Sequence, residues 1–268
     1  MKFCICALVA LFFSNTSHAE FLSFDTTTKI KQRYKDPKIA KMMKMMPGAG
    51  ASEKPTNGKT YVHGGRMIVF EDGKPQTLHD FPNSQIIIFH QNSKKKTYSV
   101  MSVKSMANMA KKMSDDTKVK SDYVKLKKKN KISGKTCQFY KSNTETSINN
   151  AAKTNMSSVH CIWLKPPVAW TEYQMAALKA FKPHIHKLAK ISTGRFIADL
   201  GMPLYTKTKM DIMPASMKGN PQMANMLPET YNIDRVLNIS TKPFDTSIMQ
   251  IPSGYKKAKR KKKSKKSS

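Results

Sequence analysis

Acidic side chains are scarce in this chain: 17 Asp and Glu stand against 48 Lys and Arg over 268 residues. With so few carboxylates, no pair stands out as a general acid and base, and the GxSxG, P-loop and GxGxxG patterns are also missing. Neither HExxH nor paired CxxC spacing occurs, which removes the common zinc signatures. The sequence offers no catalytic residue, no cofactor site and no metal site, so the expectation is a non-enzyme.

Long apolar runs are equally rare. The one that occurs is "FCICALVALFF", eleven residues from Phe3 to Phe13, too short for a bilayer span of about 20 residues. Met1-Lys2 precedes it and Ser17-His18-Ala19 follows in a cleavage pattern, which makes residues 1–19 a secretory signal peptide. The expected mature chain begins at Glu20, is exported to the periplasm or secreted, and has no transmembrane segment.

Cysteine is sparse too. Of four, Cys4 and Cys6 fall in the leader, leaving Cys137 and Cys161. Two cysteines in an exported chain point to a disulfide, with two buried free thiols as the alternative.

What the chain has in excess is positive charge and methionine. The formal net charge of +31 implies attraction to polyanions, not a fold. Nine basic residues crowd the C-terminus: Lys256, Lys257, Lys259, Arg260, Lys261, Lys262, Lys263, Lys265 and Lys266. They suit either a solvated disordered tail at 256–268 or a tether to an anionic membrane or lipopolysaccharide. The tail has no aromatic residues for base stacking, so specific nucleic-acid binding is not expected. The 19 methionines include Met42, Met43, Met45 and Met46 in one stretch and Met106, Met109 and Met113 in another. They read as apolar packing or cavity lining, with Cu(I) ligation by these thioethers as the alternative. His184 and His186 on one helix point apart and, with His160, read as core or surface histidines.

Along the chain, Phe21 to Ile30 reads as a strand, and a helix starts at Asp36-Pro37 and stops at Pro47-Gly48. A strand-rich block carries a hairpin signal at Asp72-Gly73. Helical spacing returns over "KSMANMAKKM", and "SDDTKVKSDYVKLKKKNKISGK" reads as a charged loop with a weak strand. "TCQFYKS" and "SVHCIWLK" are strands separated by a loop from Ser142 to Ser158. The strongest helix is "TEYQMAALKAFKPHIHKLAK", with Thr171 and Gln174 as a capping box, a kink at Pro183, and Met175, Leu178 and Phe181 on its apolar stripe. Two late strands, "GMPLYTKTKM" and "TYNIDRVLNIS", flank a Met-rich loop. Eight to ten strands that do not alternate with three helices argue against a doubly wound fold.

The order of "GKTYVHGGRMIVFEDG", "KKKTYSV", "GKTCQFYKS", "HCIWLKPPVAW", "DLGMPLYTKTK" and "VLNISTKPFDTSIMQIPSGYKK" resembles an uncharacterised exported bacterial domain family. That family is similar in plan to the LolA and LppX lipoprotein-carrier half-barrels. The resemblance implies an α+β fold: an incomplete antiparallel β-barrel over residues 58–255, its concave face covered by helices. It also implies a non-catalytic carrier of lipid or acyl chain, with Met106, Met109, Met113, Met175, Leu178 and Phe181 lining the ligand site. Residues 20–57 hold a strand, a Met-rich helix and a loop; the helix around Met42 and Met46, like the Lys-rich tail, has no counterpart in it. A structural envelope protein that docks on anionic surfaces through its basic body and tail is the second expectation.

Overall fold

A computed structural model describes residues 20–34, 36–45, 54–92, 95–115, 117–148, 152–184, 201–214 and 228–258. The expected signal peptide, Met46, His186 and the expected tail from Lys259 to Lys266 lie outside these described residues.

Twelve strands form one sheet. They are β1 (Leu22–Arg33), β2 (Thr56–His63), β3 (Arg66–Glu71), β4 (Lys74–Asp80), β5 (Gln85–Asn92), β6 (Lys95–Ser102), β7 (Thr117–Ile132), β8 (Lys135–Ile148), β9 (Ala152–Trp163), β10 (Met202–Pro214), β11 (Glu229–Ser240) and β12 (Lys256–Lys257). The helices are α1 (Pro37–Met45), α2 (Val103–Asp115) and α3 (Val168–Phe181). The spatial order is β12-β6-β5-β4-β3-β2-β1-β11-β10-β9-β8-β7. Every pair is antiparallel except β12 beside β6.

Side-chain alternation sorts the first half into two layers. Leu22, Val62, Met67, His79, Ile86 and Met101 lie opposite one another across six strands, and this row includes residues that pack with α3. The next row, Tyr61, Ile68, Leu78, Ile87 and Val100, faces the other way. There it meets Phe244, Ile248, Met249, Ile251 and Tyr255 of the C-terminal segment.

The sheet forks between β10 and β11. Their pairing stops at Tyr205 opposite Arg235, yet β10 continues beside β9 to Met202 opposite Trp163, and β11 continues beside β1 to Ser240 opposite Ser23. The main core gathers residues from both sides of that fork: Leu22, Phe24, Val62 and Val236 with Ile132, Cys137, Phe139, Cys161, Met202 and Leu204. The Cys137–Cys161 disulfide is formed, with Cα atoms 5.3 Å apart.

The sheet also curls. Ten strand intervals separate β6 from β7, about 48 Å on a flat sheet. The link between them is α2, 13 residues long, which spans about 20 Å. The two edges must approach each other, although they do not pair.

The expected α+β half-barrel with helices covering its concave face is therefore corrected. The described residues are mostly β, built on one open twelve-stranded sheet, and the three α-helices among them do not make a cover for it. The physical reason is extra strand. The supposed charged loop after Ser114 is the 16-residue β7. The supposed loop from Ser142 to Ser158 is the far half of β8 and β9, joined by cross-strand pairs from Ser142 opposite Ser158 to Ile148 opposite Ala152. Polar Thr and Ser pack readily on a pleated surface when their hydroxyls find partners.

The strongest helix is also shifted. It begins at Val168, so Thr171 is not its cap; Pro167 holds the cap position without a side-chain bond. The Glu20 carboxylate accepts from the Val168 N–H at 3.2 Å instead. The α-helix runs to Phe181 and residues 182–184 form a 3-10 turn that holds Pro183; the rest of the expected helix lies outside the described residues. At α1 the cap matches the sequence: the Lys38 N–H donates to Asp36 Oδ1 at 2.7 Å.

Candidate functional site

Of the six residues expected to line a ligand site, none of the five with described side chains lines the cavity beside α3. Met109, Met175 and Leu178 are exposed, at 53%, 60% and 40% of their surface, Met106 is half-buried, and the Met113 side chain lies outside the described residues. Phe181 alone joins an aromatic cluster, edge-on to Phe81 at 5.8 Å. The expected stripe was out of phase. Ala169, Trp170 and Tyr173 face the core instead, because large aromatic rings outcompete methionine for burial. The signal was present in "VAWTEY", one turn ahead of the assumed helix start.

A cavity of about 600 Å³ opens beside this helix, lined by residues of the 81–84 turn, the start of α2 and the end of α3. Phe81, Val103, Ala176, Ala180 and Pro183 supply apolar wall, while Lys104 and Lys179 supply charge. Each wall is fixed by local chemistry. The turn is anchored by buried Asp80, which accepts from Arg66 Nε at 3.0 Å, Asn83 Nδ2 at 2.8 Å and Gln85 Nε2 at 3.3 Å. Burial alone would raise the Asp80 pKa; these hydrogen bonds and the Arg66 charge outweigh it and hold the carboxyl below its usual value. At α2, Ser102 Oγ caps the helix by accepting from the Ser105 N–H at 3.1 Å, and the Val103 N–H donates to Ser84 O at 2.9 Å.

The α3 wall is positioned by Tyr173, whose hydroxyl lies 2.6 Å from His79 Nδ1. Burial lowers the His79 pKa and raises that of Tyr173, so the pair is neutral. Gly65 makes the close approach possible: a Cβ there would sit 2.9 Å from the Ala176 Cβ, and its φ of +74° is one that side chains resist.

The second half of the sheet buries a polar surface. Thr28, Asp234, Thr206, His160, Tyr140 and Lys125 lie opposite one another across six strands. His160, Ser158 and Tyr140 on this face are buried. His160 hydrogen-bonds Ser142 Oγ and Thr206 Oγ1, each at 3.2 Å, and burial pulls its pKa down to about 4. It is a neutral core histidine. Among the described residues no group of three His, Cys, Asp or Glu side chains is placed to hold a metal ion. On α1, Met42 and Met45 are exposed, 41% and 70%, and are not core residues.

At the C-terminus, Tyr255 packs edge-on to Phe89 at 5.2 Å. Lys256 and Lys257 lie in β12, opposite Thr97 and Tyr98, with the Ala258 N–H donating to Tyr98 O at 2.8 Å. These two lysines of the expected tail are thus part of the sheet. No helix among the described residues is long and apolar enough to cross a membrane.

Neither a family model nor a curated protein matches this chain. Among solved structures it is similar to the enduracididine biosynthesis enzyme MppR with HEPES buffer bound, at 8% identity over 82% of this chain and 85% of that one. The TM-score of 0.16 is too low to carry an argument about fold or activity.

Proposed function

We propose that this protein is a non-catalytic binding protein for an acyl chain or related lipid, acting outside the cytoplasm once its leader is removed. The observation that carries the proposal is the cavity beside α3: about 600 Å³, with Phe81, Val103, Ala176, Ala180 and Pro183 on its wall. That volume lies within the range of small-molecule sites, roughly 300–1,000 Å³. Lys104 and Lys179 would meet an acidic head group while their stems extend the apolar wall. The motif order resembles an uncharacterised exported domain family, which supports action outside the cytoplasm; the ligand class rests on the cavity.

The test is organic extraction of the purified mature protein followed by mass spectrometry, together with titration of a fluorescent fatty acid. A co-purifying lipid and saturable one-site binding are expected. Empty protein that binds no probe contradicts the proposal.

A second reading, docking on anionic surfaces, is favoured by one observation. Between positions 117 and 141 the chain carries nine lysines and a single acidic residue, Asp122.

A further inference from the structure

That excess is not spread evenly over the hairpin of β7 and β8. The pairing slips between Lys125 and Lys129, so that Lys125 lies opposite Tyr140 and Lys129 opposite Gln138, leaving residues 126–128 bulged. Buried Gln138 pins the bulge by donating to the carbonyls of Leu126 and Lys128, the latter at 2.9 Å. In an unbroken strand lysines at 125, 127 and 129 would share one face. Bulges re-aim side chains in this way.

The result is a groove of about 470 Å³ whose charged lining is Lys125, Lys129, Lys135 and Lys165. No acidic residue lines it, and among the described residues none of these four lysines has an ion-pair partner. Asp122 is turned to Asn143, accepting from its main-chain and side-chain N–H groups at 3.0 and 3.2 Å. The floor includes Trp163, Cys137 and Gln138, and the rim carries Leu164, half exposed. Lys135 Nζ stands 5.1 Å from the Trp163 ring centre. Val168, also half exposed, opens the next helix.

We infer that this groove is a docking surface for an anionic bilayer. It deepens the second reading above and is independent of the acyl-chain cavity. Unpaired lysines on flexible stems match lipid phosphates at the head-group level. An exposed leucine beside a tryptophan matches the boundary below it, where Trp is enriched and Lys extends outward. A soluble anion would need the charges but would leave exposed Leu164 without a role. The charges belong to the β7–β8 hairpin and the segment after β9, so docking does not depend on the C-terminal tail.

The experiment is sedimentation of the full mature chain with vesicles of phosphatidylglycerol or of phosphatidylcholine alone. The fourfold variant Lys125→Gln, Lys129→Gln, Lys135→Gln, Lys165→Gln is compared with a charge-matched control at exposed Lys54, Lys74, Lys95 and Lys242, and with a chain truncated after Ala258. Wild type is expected to bind the anionic vesicles and not the neutral ones. At low salt the groove variant is expected to bind on the order of 100-fold more weakly, the control at most a few-fold, and the truncated chain to keep its groove-dependent binding.

Should the groove variant match the control while truncation abolishes binding, the groove assignment fails and docking through the tail stands. If wild type ignores anionic vesicles, both fail. Displacement by inorganic pyrophosphate at matched charge would assign the groove to a soluble anion and overturn the bilayer. A readout that keeps every groove residue uses Trp170→Phe, which leaves Trp163 as the sole tryptophan of the mature chain. Its emission should shift to the blue and be quenched by brominated anionic lipid; an unchanged spectrum with bound vesicles overturns the proposal.

Discussion

The Tyr173 hydroxyl and His79 Nδ1, 2.6 Å apart, tie α3 to the fourth strand of the sheet. The rings reinforce the bond: Phe81 lies 5.3 Å from Tyr173, and Trp170 lies 5.7 Å from it. Tyr173→Phe removes the hydroxyl and leaves a buried imidazole nitrogen unpaired. A loss of about 1–3 kcal/mol is expected in urea denaturation. His79→Phe in the same background should recover part of it, because no unpaired nitrogen remains.

Gly65→Ala tests the closeness of the helix. Its added methyl would press on Ala176 at 2.9 Å, and the φ of +74° adds backbone strain. Gly73 has a nearly identical φ of +75° but open space around it. Gly73→Ala should therefore cost about 1–2 kcal/mol from the backbone alone, and Gly65→Ala clearly more. Equal losses in Tm would show that α3 does not sit where described.

The disulfide joins residues 24 apart in sequence. On chain-entropy grounds its removal by the double change Cys137→Ala and Cys161→Ala should cost about 3 kcal/mol. Thermal unfolding of wild type with and without reductant should show a shift that is absent in the double variant.

Acid sensitivity follows from His160. Its ordinary pKa is 6.5 and burial lowers it to about 4 in the folded protein. Between those values the unfolded chain holds more protons, so stability rises with pH. The contribution is complete above the unfolded value and is lost as pH falls from there toward 4. Relative to His160→Asn, wild type should lose roughly 2–3 kcal/mol between pH 7 and pH 4. A difference between the two that stays constant with pH would mean the imidazole is not buried as described.

The parts of the fold legible in the sequence are those governed by local rules. Asp72 and Gly73 have φ of 46° and 75°, as their hairpin signal requires. Asp36 caps α1, and the cysteine pair is joined. What was hidden depends on tertiary partners. β7 shows no clean alternation because lysines occupy both sides of an edge strand, a pattern that also discourages unwanted pairing. The far halves of β8 and β9 look like loop because their inner face is polar: Ser142, Ser158 and His160 are satisfied by one another's neighbours on adjacent strands. Met175 and Leu178 are exposed because α3 starts at Val168 and turns Trp170 and Tyr173, rather than those two residues, to the core. The cavity walls were illegible for a further reason. Ala176 and Ala180 are small, and what they line is set by Gly65 and the Asp80-anchored turn, about a hundred positions away.

The central claim is that the cavity beside α3 takes an acyl chain. Its most direct test is titration of a fluorescent fatty acid into the mature protein and into Ala180→Trp, whose indole would fill the space between α3 and the 81–84 turn. Wild type should bind one equivalent saturably, and Ala180→Trp should bind at least about tenfold more weakly while retaining cooperative unfolding. Undiminished binding by Ala180→Trp, or no saturable binding by wild type, would contradict the account.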